Sequence, residues 1–416
     1  MTAPRLSAWR AVVGFGIVSL AGDMVYEGMR SVSGPLLASL GASALIVGLV
    51  TGAGEAASLG LRLVTGPLAD RTHRYWALTI LGYGMTAVCV PLLAVTPFIG
   101  GAGLVVASSL ILIERAGKAI RSPSKTTLLA DAAGAVGRGR GFGVHKALDE
   151  VGAFSGPLLV AGLLAWRNEI WLAMAVLAIP GAVAMGYLLW LRRRLPDPSV
   201  FDDAGARPRT ASAHTWWQDT LGVGLGRPFF RFAAASSLAT AGLVTFGVIA
   251  FHLTADNIVS LAIVPVIYAA AQAASAVAAL VNGFGYDKVG PRTLYALPVL
   301  VALVPTLAFR TSALVCVAGV LCWGAANGLQ DSTVKALVAD LVVGERRATA
   351  YGVFAAIQGL AAMVGGVLAG ALYADHLNLL IGIIAASQVA TSVLLALTLR
   401  DLRSDRAAPS THAPAP

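Results

Sequence analysis

Twelve stretches of this 416-residue chain each hold mostly apolar residues, at about the twenty-residue length a helix needs to cross the hydrocarbon of a bilayer. They fall near residues 9–38, 42–69, 75–95, 100–121, 140–166, 169–191, 227–254, 258–286, 291–309, 312–336, 346–373 and 377–399. Charged residues make up 12% of the chain, where a soluble domain carries about 25%. The mean hydropathy is +0.77. The expected fold class is an all-α membrane protein of twelve transmembrane helices. Trp76, Trp166, Trp171, Trp190 and Trp216 fall near span ends and read as interfacial anchors.

The spans divide evenly. Between the sixth and seventh lies Arg192 to Gly226, with Arg192-Arg193-Arg194, Pro196, Pro198 and Pro208, a polar linker by composition. The expected organisation is a six-helix bundle over 1–191, a cytoplasmic linker over 192–226, a second bundle over 227–399 and a disordered cytoplasmic tail over 400–416. Arg5 and Arg10 followed by apolar residues to Ala21 mimic a secretion leader. The apolar run resumes past Asp23, so this is read as a first membrane helix.

Lysines and arginines are unequally shared between the two sets of loops. One set holds Arg5, Arg10, Arg71, Arg74, Lys125, Arg138, Arg140, the linker cluster, Lys288, Arg292, Arg346, Arg347, Arg400, Arg403 and Arg406. The other holds only Arg167 and Arg310. The positive-inside rule places both termini and the linker in the cytoplasm, in a multi-pass protein of the inner membrane. This distribution accounts for the net charge of +9 without a nucleic-acid partner. Cys89, Cys316 and Cys322 lie inside apolar spans with no metal-type spacing; they read as small buried hydrophobes and no metal is expected.

The chain also repeats itself. Arg115 to Gly162 aligns without a gap on Gly324 to Ala371: Ala130-Asp131 on Ala339-Asp340, Phe142-Gly143-Val144 on Tyr351-Gly352-Val353, and Gly156 on Gly365. Parallel repeats of this kind build two pseudo-symmetric bundles about an axis along the membrane normal. The copies differ in charge. Lys146, Asp149 and Glu150 in the first face Ala355, Gln358 and Gly359 in the second.

Burying an ionised group in a span costs several kcal/mol unless it is paired or wetted, so charges inside spans are the strongest functional signal here. In the first span Asp23, Glu27 and Arg30 stand at i, i+4 and i+7 with Tyr26 beside them, on one helical face. A buried carboxyl can hold a proton and release it when water arrives, which makes Asp23 and Glu27 proton-coupling candidates; a structural pair between Glu27 and Arg30 is the alternative. Glu55 and Arg62 share a face of the second span. The fourth carries Arg115 and Lys118 on one side, with Arg121 expected at the cytoplasmic mouth. The fifth carries His145, Lys146, Asp149 and Glu150, and a network joining Arg115 or Lys118 to Asp149 or Glu150 is expected. His145, Asp149 and Glu150 join the proton-coupling candidates, His145 because imidazole titrates near neutrality. In the second half, Asn327 and Asp331 follow i, i+4 spacing with Lys335, and Gln358 stands on an otherwise apolar face. The substrate-cavity candidates are Tyr26, Arg30, Glu55, Arg62, Arg115, Lys118, Lys146, Asn327, Asp331 and Gln358. GxxxG pairs at Gly48–Gly52, Gly152–Gly156, Gly324–Gly328 and Gly366–Gly370 predict close helix approach.

Between the second and third spans the chain reads Gly66-Pro67-Leu68-Ala69-Asp70-Arg71-Thr72-His73-Arg74, and the second half repeats it as Gly283-Phe284-Gly285-Tyr286-Asp287-Lys288-Val289-Gly290. These resemble the cytoplasmic loop signature of the major facilitator superfamily, with His73 where a glycine is usual. The resemblance covers the whole chain. It implies a loop, through Gly66, Asp70, Arg71, Arg74, Gly283, Asp287 and Lys288, that latches the cytoplasmic side shut in one state. In the fifth span, Gly143, Gly152, Gly156 and Pro157 are similar to the signature of that superfamily's proton-coupled drug antiporters; Val160 and Ala161 stand where a further glycine pair is usual.

The resemblance implies a secondary transporter that works by alternating access, and its antiporter version implies proton-coupled export of a drug-like or metabolic compound. Uptake of a small polar or anionic solute on the same fold is the alternative. The partners expected are a small molecule, protons and the bilayer, in a monomer, with the proton gradient as energy source and no cofactor. No Walker A loop, HExxH or GxSxG occurs, so neither ATP-driven pumping nor hydrolysis is expected.

Overall fold

The computed structural model describes residues 6–201, 225–334, 337–338, 341–342 and 347–407. Lys335, the Ala339-Asp340 end of the repeat, Trp216, most of the linker and residues 408–416 lie outside the described residues. Among the described residues the helices group, in chain order, into the following segments. In the first half α1 is Ala8–Ser39, α2 Ala44–Thr72, α3 Tyr75–Phe98, α4 Gly103–Ala132, α5 Arg138–Arg167 and α6 Ile170–Arg194. In the second half α7 is Arg227–Ala255, α8 Ile263–Val289, α9 Ala296–Ala308, α10 Ala313–Leu329, α11 Arg347–Leu372 and α12 Leu377–Ala407. Among the described residues, eleven segments are long and apolar enough to cross a membrane, the ninth when counted from Gly290 and the tenth when counted to Ser332. The twelfth, α4, has the length, but Glu114, Arg115, Lys118, Arg121 and Lys125 cost it the apolarity. It also runs to Ala132, three turns past the expected end at residue 121. At the other end of the chain, α12 continues to Ala407, through the first part of the expected disordered tail, and Arg231 pins it by an ion pair to Asp401 at 2.6 Å.

Small residues set the helix spacing. A Cβ on Gly156 would lie 2.3 Å from the Met24 carbonyl oxygen, and one on Gly152 would lie 2.2 Å from that of Leu20, so α5 rests directly on the α1 backbone. In the second half Gly365, the repeat partner of Gly156, meets the Ala241 carbonyl at 2.1 Å in the same way, seating α11 on α7. The shared glycine does the same packing job in both copies. The copies part at Arg115 and Gly324. Gly324 lets α10 approach Ala271 of α8, whereas Arg115 lays its side chain along Gly54 of α2.

The halves meet most closely at the end away from Arg71, Arg74 and Arg192–Arg194. There a Cβ on Gly34 would lie 2.1 Å from the Gly247 carbonyl oxygen, one on Gly48 2.1 Å from that of Gly366, and one on Gly370 2.4 Å from that of Ala44. Thr51 and Thr245 hydrogen-bond across the seam at 2.8 Å. At this end His252 of α7 links to Asp256 at 2.8 Å and to Tyr373 at 2.9 Å, and its other ring nitrogen lies 3.1 Å from the Arg310 carbonyl.

At the basic end, His73 closes α2 in the left-handed turn (φ 52°, ψ 19°), whereas Gly290 after α8 combines a positive φ of 69° with a ψ of −157°. The histidine shares the sign of φ with Gly290 and not its conformation. Asp70 accepts a hydrogen bond from the Tyr75 hydroxyl at 3.1 Å.

Candidate functional site

A cavity runs between the halves in two connected lobes of about 780 Å³ and about 300 Å³. Arg30, Lys118, Trp323, Asn327 and Asp331 line both. The larger reaches Gly66, Thr126 and Tyr351 toward the basic end, while the glycine seam closes the far end. Its wall includes the break in α7, where Val244 sits at φ 59°. A branched side chain rarely adopts that backbone, and the Val244 carbonyl is held by the Trp323 indole at 3.0 Å.

The floor is a chain of charges. Arg30 donates to Glu55 at 2.8 Å and lies 3.7 Å from Glu27. Arg115 reaches the same Glu55 oxygen at 3.0 Å and donates to the Tyr26 hydroxyl. Glu55 thus serves two arginines from two other helices. Buried Glu27 accepts from the Tyr268 hydroxyl of α8. Arg30 also lies over the Trp323 and Tyr268 rings at 5.8 and 6.0 Å. These contacts tie α1 to the second half. The expected link from Arg115 or Lys118 to Asp149 or Glu150 takes a different form. Arg115 is committed to Glu55, Lys118 rests 3.6 Å from the Tyr26 ring centre, and Lys146 takes Asp149 at 3.2 Å and Glu150 at 2.6 Å from within α5. One turn of helix puts Lys146 nearer those acids than anything on α4 is.

The smaller lobe gathers Asp23, Lys118, Arg121, Lys125, Lys146, Asp149 and Glu150. Here the Asp23 carboxyl of α1 meets the Asp149 carboxyl of α5 within hydrogen-bonding reach. Arg121 lies 3.9 Å from Asp23 and from fully buried Glu114, bonds Thr86, and stacks on Tyr83. Its expected place at the cytoplasmic mouth is corrected: the extra turns of α4 carry it into the interior, where it is 3% exposed. His145 is buried and bonds Ser19 at 3.0 Å; Ser19 also meets Tyr83 at 3.0 Å and accepts from Lys125 at 2.8 Å. That makes His145 part of a satisfied hydroxyl network next to the lobe.

On the second-half wall, Gln358 donates to Ser236 at 3.1 Å and Asn327 to the Trp323 carbonyl at 2.9 Å. The repeat positions Lys146 and Asp149 line the smaller lobe, and their counterparts Ala355 and Gln358 line the larger. Arg62 faces the charges of Asp331 and Glu55 at longer range, and its Nε is buried without a partner. Tyr268 and Trp323 carry no mark in the sequence; Glu114 reads there as a charge of the fourth span and Lys125 as a loop cation, neither as a site residue. A lone aromatic in an apolar helix carries no signal of its own, but the two charges did lie inside or beside a span.

Relatives agree with this architecture. The chain matches the family description Major Facilitator Superfamily over residues 13–309 and 232–416. It is 49% identical to a Mycobacterium tuberculosis protein whose role is uncharacterised, over 98% of this chain and 97% of that one. It is 25% identical to an uncharacterised MFS-type transporter of Methanocaldococcus jannaschii, over 86% of this chain and 87% of that one. Among solved structures, a mutant of the nucleoside transporter NupG superposes with a TM-score of 0.75 at 15% identity, covering 94% of this chain and 99% of that one. A bacterial homologue of the lysosomal transporter Spinster, inward-facing and unoccupied, gives 0.69 at 16% identity, covering 98% and 99%. The chain belongs to the Major Facilitator Superfamily and is a secondary transporter of a small molecule.

Proposed function

We propose that this transporter is coupled to protons and works by alternating access in the cytoplasmic membrane, as a monomer with both termini inside. The observation that carries the coupling is the meeting of Asp23 and Asp149 on the wall of the smaller lobe. Two carboxyl groups in contact repel when both are ionised, and a single proton between them relieves the repulsion. Lys118 and Lys125 both bear on Asp23. Movement of α4 against α1 and α5 changes their distance from the pair and so admits or expels the proton. Glu27 acts differently, as the acceptor that holds Tyr268 of the other half. The proton gradient supplies the energy, with no cofactor.

Export is the direction implied by the likeness of α5 to drug antiporters. Gly152 and Gly156 are spent on packing against α1, which supports a scaffold role for that motif. Uptake is favoured by the charge of the cavity. Six cations and six carboxyls line it, so one bound proton leaves positive charge that an anion neutralises. Proton and anion then raise each other's affinity, which is the behaviour of a symporter.

Purified protein in liposomes holding an internal pH dye tests both points. Solutes such as choline, uridine and succinate are added in turn under an imposed proton gradient. Solute-dependent proton movement is expected, with inward flux of an anion acidifying the lumen. Solute movement indifferent to the gradient would overturn the coupling.

A further inference from the structure

We infer that Lys118 and Arg62 receive the anionic group of the transported solute, a carboxylate, sulfonate or phosphate on a small molecule with an apolar body. The inference rests on the carrier reading and on how the charges around the cavity are paired. Before a proton binds, equal numbers of cations and acids leave the substrate charge open, and their partners decide it.

Among the described residues, every carboxyl on the cavity wall is engaged. Glu27 and Glu55 hold Arg30, Glu55 also holds Arg115, and Asp149 and Glu150 share Lys146. Asp23 meets Asp149 and lies 3.9 Å from Arg121. Asp331 is not free either. A cationic solute therefore finds no carboxylate without a partner. An anion finds two cations. Lys118 has the Tyr26 ring as its close partner and feels Glu27 and Asp23 only at longer range. Arg62 has a buried Nε with no partner at all. The third cation without a carboxylate inside 4 Å, Lys125, is held by Ser19 and faces Asp149, which places it with the proton pair.

Arg62 lines the larger lobe and, among the described residues, its charge is answered only at longer range by Asp331 and Glu55. An occupant with oxygen acceptors and negative charge supplies the close partner that a guanidinium takes up. The rest of the wall fits the remainder of such a molecule. Trp323, Phe354, Leu243 and Leu59 line the larger lobe, and its volume of about 780 Å³ is that of a pocket for a metabolite-sized ligand.

The test reads the charge preference of the cavity directly. With Cys89, Cys316 and Cys322 replaced by serine, a single thiol is introduced by Ala355→Cys on the wall opposite Lys118. Its modification rates by an anionic sulfonatoethyl and a cationic trimethylammonioethyl thiosulfonate reagent are compared with their ratio on free cysteine. The anionic reagent is expected to be favoured about tenfold over that baseline, the low end of focusing in a charged cleft. Lys118→Gln and Arg62→Gln should each return the ratio close to baseline. A ratio at or below baseline in the unsubstituted cavity overturns the inference, as does one unchanged in both variants. Proton flux does not enter this readout. A cavity that prefers the sulfonate in a protein that moves no protons would refute the coupling and leave the anion site standing. Coupled flux of a cation at baseline ratio would do the reverse.

Discussion

Asp23→Asn is expected to abolish most of the gradient-driven accumulation of solute, because an ionisable group inside the membrane is the kind of group that relays protons. Exchange of labelled for unlabelled solute across the same membranes should persist. Asparagine keeps the size of the side chain and removes its titration. Asp149 then has no second carboxylate beside it whose repulsion a shared proton relieves, and it keeps Lys146 at 3.2 Å, while the ion pairs of Arg30, Glu55 and Arg115 on the cavity floor stay intact. Accumulation against equilibrium exchange separates the two roles in one preparation. If accumulation and exchange fall together, Asp23 holds the fold or the substrate. If neither falls, the proton resides elsewhere. Glu27→Gln provides the contrast: it weakens the acceptor for Tyr268 and for Arg30, so exchange and accumulation should decline in parallel.

Gly48→Val should disable the carrier by a different route. The Gly48 Cβ position is 2.1 Å from the Gly366 carbonyl oxygen, and backbone on both sides leaves nothing flexible to yield. Overpacking of this kind costs about 1–3 kcal/mol or more, and it falls only on the state in which the far end is closed. A bias of about that size shifts a two-state equilibrium about 5–150-fold. Transport should be lost with the protein still inserted and monodisperse. A thiol introduced by Thr245→Cys, beneath the seam, should become reactive to a membrane-impermeant reagent added from that side. Full transport and an unreactive thiol would show that the seam tolerates the added bulk and does not gate access.

Much of this architecture is readable in the sequence because lipid leaves few options. Apolar length marks the helices, the lysine and arginine imbalance orders the loops, and the ungapped repeat announces two bundles. The glycines at 152, 156, 324, 328, 366 and 370 signal close approach, and each finds a neighbouring backbone. Pairing within the site is another matter. Helical spacing shows that Asp23, Glu27 and Arg30 share a face but says nothing about which helix that face meets. Glu55 sits between Arg30 and Arg115 because α2 lies against both α1 and α4, a tertiary fact. Apolarity ends at Arg121, which by sequence puts it at a mouth, yet α4 continues as a helix to Ala132 and Thr86, Tyr83 and Asp23 cover the Arg121 side chain. Lys146 is drawn to Asp149 and Glu150 by its own helix, a local pairing that competes with any interhelical network. Tyr268, which bridges the halves, looks like any aromatic of an apolar span.

A proton shared by Asp23 and Asp149, as proposed, is open to infrared difference spectroscopy without any knowledge of the solute. A protonated carboxyl gives a C=O stretch that an ionised one lacks. Spectra of the protein in lipid would be recorded across a pH titration for wild type, Asp23→Asn and Asp149→Asn. A shared proton gives a protonated-carboxyl band in wild type that titrates away as pH rises and is missing from both variants. A band that survives unchanged in both would mean that these two carboxyls share no proton, and the coupling assigned to them would fall.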